Sequence, residues 1–129
     1  MSLDQLVEAV IADGTVDDAE VVELETALYE DGVIDQEEAD ALFTINDAVS
    51  GANNSPNWAP LFVRAITDFV LADETTPGVV DEDEAAYLIG KIEGDGQVDG
   101  VELALARNIK ATATEVHSTL TAKFEEWGV

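Results

Sequence analysis

Hydrophobic residues recur at helical spacing along most of this chain. Three stripes can be read before the middle of the sequence: Leu3, Leu6, Val7, Val10 and Ile11; then Val21, Leu24 and Leu28; then Leu42, Phe43, Ile45, Asn46 and Val49. Positions three or four apart share one face of an α-helix, whereas strict alternation would indicate a strand. None of these segments alternates, so the pattern predicts an all-α fold.

Two later segments extend this prediction. Residues 58–72 are apolar on nearly every side, which is typical of a helix buried at the centre of a bundle. The last helix is predicted over residues 99–126, and Thr112 and Thr114 indicate a possible break within it. The expected architecture is a single domain, residues 1–129, of about six to seven helices packed around the buried central helix.

A short Gly-x-Val/Ile-Asp-x-x-Glu pattern occurs four times. The copies contain Gly14, Asp17 and Glu20; Gly32, Asp35 and Glu38; Gly78, Asp81 and Glu84; and Gly96, Asp99 and Glu102. The glycines are 18 residues apart within each pair (14 to 32 and 78 to 96), and the pairs are offset by 64. This regularity predicts an internal duplication, with pseudo-repeats at about 3–50 and 64–113.

Each copy has the residues of a joint between two helices. Glycine can adopt the positive φ that ends a helix, and the aliphatic residue two positions later can enter the core. The following Asp is then an N-cap, and the Glu three residues further on completes a capping box. All four Asp/Glu pairs therefore have a structural role available.

Charge is the most unusual property of the composition. The chain has five Lys and Arg residues against 29 Asp and Glu residues, a net charge of −24. Such a surface repels nucleic acid and anionic membranes, which proteins bind through Lys and Arg. Cations or basic protein surfaces are the expected partners, although adaptation to high salt would also explain the charge.

Little in the sequence indicates catalysis. There is no cysteine, and His117 is the only histidine, so thiol chemistry, zinc–thiolate sites and multi-histidine metal sites are excluded. The chain is therefore predicted to be a non-enzyme. Its first residues lack a basic region, and no apolar run approaches the roughly 18 residues of a membrane span. We expect a cytoplasmic protein without membrane insertion.

The repeated pattern also resembles the second half of an EF-hand calcium loop. Only the third copy has an oxygen ligand at the first position of the loop, Asp73, and Thr75 follows at the third position before Asp81 and Glu84. Its Pro77 removes the ligand expected at the fifth position. The sequence thus favours residues 73–84 as the single-loop cation site.

Carboxylates from different turns could also hold a cation together. Asp13, Asp17, Asp73 and Asp81 would approach one another in a pseudo-symmetric bundle, and ligands with oxygen only favour Ca²⁺, Mg²⁺ or Mn²⁺. The alternative is that these residues only cap helices. The candidate metal ligands are Asp13, Asp17, Glu20, Asp31, Asp35, Glu38, Asp73, Thr75, Asp81 and Glu84.

The acidic turns resemble those of the tellurite-resistance TerB-like family. The resemblance rests on Ala12-Asp13-Gly14 with Asp17 and Glu20, and on the recurrence of this turn as Asp31-Gly32 with Glu38 and as Asp95-Gly96 with Glu102. It implies two helical subdomains that share a core helix, divalent-cation binding at the acidic surface, and a non-catalytic role in stress response beside partner proteins. By this resemblance the cation ligands would be Asp13, Asp17, Glu20, Asp31, Asp35 and Glu38.

Two functional hypotheses follow. In the first, the chain is a non-catalytic, acidic helical module that binds divalent cations, a protein partner or both. In the second, it is an inhibitor that mimics a nucleic-acid backbone and binds a basic protein surface. Neither requires an organic cofactor.

Overall fold

A computed structural model describes residues 3–30, 34–49, 52–71, 78–94 and 98–129. These residues form seven α-helices and two strands of two residues each, so the predicted all-α fold is confirmed. The elements in chain order are α1 (Leu3–Asp13), α2 (Asp18–Leu28), α3 (Gln36–Val49), α4 (Trp58–Leu71), β1 (Val79–Val80), α5 (Glu82–Ile92), α6 (Gly100–Thr112), β2 (Glu115–Val116) and α7 (Ser118–Trp127).

Contacts between residues divide the chain into two compact units, Met1–Ile66 and Thr67–Val129. The division falls within α4, the helix that the sequence predicts over residues 58–72. In α4 one set of apolar side chains is buried (Trp58, Leu61, Phe62, Ala65, Ile66 and Val70), whereas Ala59, Val63, Phe69 and Leu71 are only half-buried and Arg64 and Asp68 are exposed. The internal duplication, with its boundaries at about 3–50 and 64–113, stays a prediction.

In the first unit, α1 packs against α2 and α3. The buried side chains are those of the predicted stripes together with aromatic residues: Leu6, Val10, Val21, Leu24, Leu28, Leu42, Phe43, Ile45, Val49, Trp58 and Phe62. Phe62 contacts Phe43 edge-on, with ring centroids 5.2 Å apart. The buried amide oxygen of Asn46 accepts a hydrogen bond of 3.2 Å from the indole Nε1 of Trp58. Ile11 departs from the predicted stripe of α1, since it is 44% exposed, and Val7 is only half-buried.

Residues 52–57 form hydrogen bonds with the first turn of this unit. The backbone N–H of Val16 donates to Oδ1 of Asn54 at 3.0 Å, and the N–H of Ser55 donates to the Val16 carbonyl at 2.7 Å. The Ser55 hydroxyl also donates to Asp18 Oδ1. Asn54 and Ser55 therefore hold Val16 in its buried position.

In the second unit, α5 packs against α7. Phe69 contacts Tyr87 with ring centroids 5.6 Å apart. On α7, Lys123 forms an ion pair of 3.0 Å with Glu93. The core of this unit contains Val70, Val80, Ala85, Leu88, Ile92, Leu105, Ala106, Ile109, Leu120 and Phe124.

The predicted last helix, residues 99–126, is two helices. The chain leaves helical geometry at Ala113, whose φ and ψ are −65° and 141°. It then pairs in parallel with β1, with Val79 opposite Glu115 and Val80 opposite Val116. The break indicated at Thr112 and Thr114 is thus real, and the strand pairing that causes it was not predicted.

One further property concerns membranes. None of the helices in the described part of the chain has the length and apolar character that crossing a bilayer requires.

Candidate functional site

The acidic turns are helix caps wherever the structure describes them. At α2, Glu20 N–H donates to Asp17 Oδ1 at 2.8 Å, and Asp17 N–H donates to Glu20 Oε1 at 3.1 Å. At α3, the corresponding distances between Asp35 and Glu38 are again 2.8 Å and 3.1 Å. This reciprocal pattern is the capping box expected from the sequence.

The third and fourth turns repeat the arrangement in a less exposed setting. Glu84 N–H donates to Asp81 Oδ1 at 2.8 Å. Asp99 and Glu102 form a complete capping box, with distances of 2.7 Å and 3.1 Å. The Glu102 side chain is buried, whereas Glu20 and Glu38 are half-buried. The four turns therefore share the hydrogen bond from the Glu N–H to the Asp Oδ1 but differ in access to solvent.

The glycines of the turns behave as predicted where they are described. Gly14 has φ of 74° and Gly78 has φ of 79°, a left-handed conformation that favours glycine. The aliphatic residue two positions on is buried at Val16, Ile34 and Val80 and half-buried at Val98. Gly32 and Gly96 lie outside the described residues.

Three candidate metal ligands come together at the first turn. Burial, and then the negative charges of Asp17 and Asp13, raise the pKa of the Glu20 carboxyl above its ordinary value of 4.5, and a side-chain hydrogen bond between Glu20 and Asp13 adds to the shift. The backbone hydrogen bond from Asp17 acts in the opposite direction. The first turn therefore concentrates negative charge around a partly desolvated carboxylate.

The remaining candidate ligands are not brought into such a cluster. Asp35 and Glu38 cap α3, and Asp81 caps α5. Asp31, Asp73 and Thr75 lie outside the described residues, so the single-loop site over residues 73–84 stays a prediction. Within the described ranges, no three Asp, Glu or His residues are arranged to hold a metal ion, and this includes Asp13, Asp17 and Glu20 of the first turn.

A second feature of the first unit is an open groove of about 1080 Å³ beside α2. Among the described residues its apolar lining consists of Leu6, Val22, Ala27 and Tyr29, and its polar lining consists of Glu23, Glu25, Thr26 and Glu30. Val22 is 63% exposed, whereas the adjacent Val21 is buried. α2 therefore presents one apolar face to the core and a second, smaller apolar strip to solvent.

Arg64 lies beside this groove. Its Nε donates to the Tyr29 hydroxyl at 3.3 Å, its guanidinium stands 4.9 Å from the centre of the Tyr29 ring, and it forms an ion pair of 3.3 Å with Glu25. The hydrogen bond to Tyr29, assisted by Glu25, raises the pKa of the Arg64 guanidinium above its ordinary value. These contacts hold the Tyr29 ring at the edge of the groove.

This groove is not evident from the sequence. The helical stripe of Val21, Leu24 and Leu28 accounts for the buried face of α2, and Val22 looks like an ordinary neighbour of that stripe. The available signal was a pair of adjacent valines in a helix that otherwise carries acidic residues outward. The sequence does not indicate that Leu6 of α1 lines the same groove.

Comparisons with known proteins add no match. No protein family, no curated protein and no solved structure is significantly similar to this chain. The resemblance to the TerB-like family therefore stays a prediction that rests on the acidic turns alone.

Proposed function

We propose that this chain is a non-catalytic, acidic helical module that binds the basic surface of a protein partner. The observation that carries the proposal is the net charge of −24 on 129 residues, which is displayed on a folded helical scaffold. Long-range attraction by such a surface raises the rate of association with a basic partner. The charge disfavours nucleic acid and anionic membranes as partners.

The turns support this proposal by fixing where carboxylates lie. Capping holds Asp17 and Asp35 at helix starts and leaves both side chains exposed. A carboxylate held by a backbone hydrogen bond loses less conformational entropy when it pairs with a lysine or arginine of the partner. A nucleic-acid mimic acting as an inhibitor is one form that such a protein would take.

The test is titration with a lysine-rich peptide of about ten residues that contains no apolar side chain. We expect saturable binding at about 0.15 M salt and a steep loss of affinity as salt increases, because the attraction is electrostatic. A neutral peptide of the same length is the control. No binding of the lysine peptide at that salt concentration would contradict the proposal.

A second candidate function is the binding of a divalent cation at the first turn. It is favoured by the position of Asp13 and Asp17 beside Glu20, where their negative charges add to the effect of burial in raising the pKa of the Glu20 carboxyl. Oxygen ligands suit Ca²⁺, Mg²⁺ or Mn²⁺. A cation there would offset the repulsion among the three carboxylates.

Calorimetry with each of these ions, at constant ionic strength, tests the cation hypothesis. Asp13→Asn is the informative variant, because Asp13 lies outside the capping box and its replacement removes one negative charge. We expect that variant to bind the ion more weakly than the wild type. An absence of both heat and thermal shift at millimolar ion would refute cation binding.

The cellular role of the chain is also a proposal. The TerB-like resemblance, carried by turns such as Asp13-Gly14 with Glu20, supports a role in stress response beside partner proteins. A cytoplasmic location would be compatible with that role. Deletion of the coding gene followed by growth under metal or oxyanion stress tests it, and unchanged growth under every stress would count against it.

A further inference from the structure

The groove beside α2 offers a more specific partner class than net charge alone. Its lining includes the exposed Val22, the Tyr29 ring and the almost fully buried Leu6, and Glu23 and Glu30 also line it. Val22 is 63% exposed, more than Ile11, the other exposed bulky aliphatic residue among those described. An apolar strip beside carboxylates is complementary to a ligand that is itself apolar on one side and basic on the other.

We propose that this groove binds a basic amphipathic helix of a partner protein. The proposal rests on the proposed function, since it names the kind of basic surface that the acidic module would take. Aliphatic residues on one face of the partner helix would contact Val22 and Leu6. Flanking lysine or arginine side chains would pair with Glu23 and Glu30.

The length of α2, which provides most of the groove lining, is compatible with a helical ligand. α2 contains 11 residues, so it is about 16 Å long at 1.5 Å per residue. A partner helix of about three turns matches that length and presents apolar residues at spacings of three and four. An extended peptide would lack backbone partners, because the backbone groups of α2 are bonded within the helix.

The charge of the chain argues against a second copy of this chain as the occupant of the groove. A second copy would bring another −24 and only five Lys and Arg residues, so two copies would repel each other at this surface. Glu25 is already paired with Arg64 at 3.3 Å. Glu23 and Glu30 form no ion pair with another described residue, which leaves two carboxylates to receive the basic side chains of a partner.

The experiment compares two synthetic peptides of about 14 residues with equal charge. In one, leucines lie along one face of a helix and lysines along the other; in the second, serine replaces every leucine. We expect the wild-type protein to bind the leucine–lysine peptide at least tenfold more tightly, because the apolar strip is buried only in that complex. Amide chemical shifts should change mainly at groove residues such as Val22 and Tyr29.

Val22→Glu is the diagnostic variant. It removes an apolar contact and adds a negative charge, so purely electrostatic binding would become tighter, whereas binding in the groove should weaken by roughly tenfold. Val22 is mostly exposed, and glutamate has a good helix propensity, so the variant should fold. Ile11→Glu is the matched control, since Ile11 is an exposed aliphatic residue outside the groove lining.

The outcomes separate the two proposals. Weaker binding of the leucine–lysine peptide by Val22→Glu, with unchanged or tighter binding by Ile11→Glu, supports the groove. Equal binding of both peptides, or equal effects of both variants, overturns the groove and leaves the acidic module intact. If neither peptide binds, both proposals fail.

Discussion

The capping box at the start of α2 allows structural and electrostatic roles of an acidic turn to be separated. Asp17→Ala removes the oxygen that accepts the 2.8 Å hydrogen bond from Glu20 N–H. Loss of an N-cap side chain costs about 1 kcal/mol of the free energy of unfolding. Since unfolding entropy scales with chain length, a loss of this size lowers the Tm of a 129-residue chain by about 4 °C.

Asp17→Asn should behave differently. Asparagine caps a helix about as well as aspartate, because its amide oxygen accepts the same hydrogen bond. The substitution also removes the repulsion that Asp17 exerts on Glu20, which offsets the lost attraction to the helix N-terminus. We therefore expect the stability of Asp17→Asn to stay within about 0.3 kcal/mol of the wild type.

Urea denaturation followed by far-ultraviolet circular dichroism measures these differences. Glu23→Ala is the matched control, because it removes an acidic side chain from the same helix at a position that caps nothing. Asp99→Ala extends the series: it breaks an equivalent box beside the buried Glu102, so it should cost more than Asp17→Ala.

The capping argument would be refuted if Asp17→Ala were no more destabilising than Glu23→Ala. It would also be refuted if Asp17→Asn lost as much stability as Asp17→Ala, since charge rather than the hydrogen bond would then be the cause.

Three further predictions follow from single contacts. Because burial and neighbouring carboxylates raise the pKa of Glu20, the folded state binds that proton more tightly, so the resulting stabilisation is fully present below the ordinary value of 4.5 and is lost as pH rises through the raised value. Glu20→Gln should accordingly be at least as stable as the wild type at neutral pH, with the difference vanishing in acid, as urea midpoints across pH will show. The hydrogen bond from Lys123 lowers the pKa of Glu93, so the contribution of Glu93 to stability is present above pH 4.5 and is lost as pH falls through the lowered value. Lys123→Met should therefore flatten the acid side of a curve of Tm against pH. An unchanged acid side would contradict this prediction. Gly78→Ala should cost about 1–3 kcal/mol in chemical denaturation, because Gly78 has φ of 79° and a Cβ there would stand 3.3 Å from Thr114 Oγ1; a neutral effect would show that the turn relaxes.

Helix starts were predictable from the sequence because their determinants are local. Asp17 and Asp99 are each followed three residues later by Glu20 and Glu102, and both pairs form the expected hydrogen bonds. Burial of the main stripes was predictable for a similar reason, since helical periodicity places Val21, Leu24 and Leu28 on one face.

Features that depend on distant residues were not predictable. The break before α7 requires Val80 to accept a hydrogen bond from His117 N–H at 2.8 Å, a contact across 37 positions (80 to 117). The groove likewise requires Leu6 of α1 beside Val22 of α2. The spacing of neighbouring residues in the sequence indicates neither contact.

The candidate site was predictable only in part. The sequence places Asp13, Asp17 and Glu20 within one turn, and the structure places their charges close enough to raise the pKa of Glu20. Whether carboxylates from separate turns converge on a cation depends on packing that periodicity does not encode.

The capping boxes also constrain how this sequence can change. Three reciprocal Asp/Glu pairs and Asp81 commit seven of the 29 acidic residues to backbone hydrogen bonds. Replacing one of the cap aspartates by lysine costs about 1 kcal/mol, whereas most exposed substitutions elsewhere change stability by about 0.5 kcal/mol or less. Descendants of this chain that lose negative charge should therefore keep the cap aspartates and exchange other acids first. In such lineages, persistence of an acid at a helix start would be expected from its role in folding alone, so it would not by itself be evidence of ligand binding.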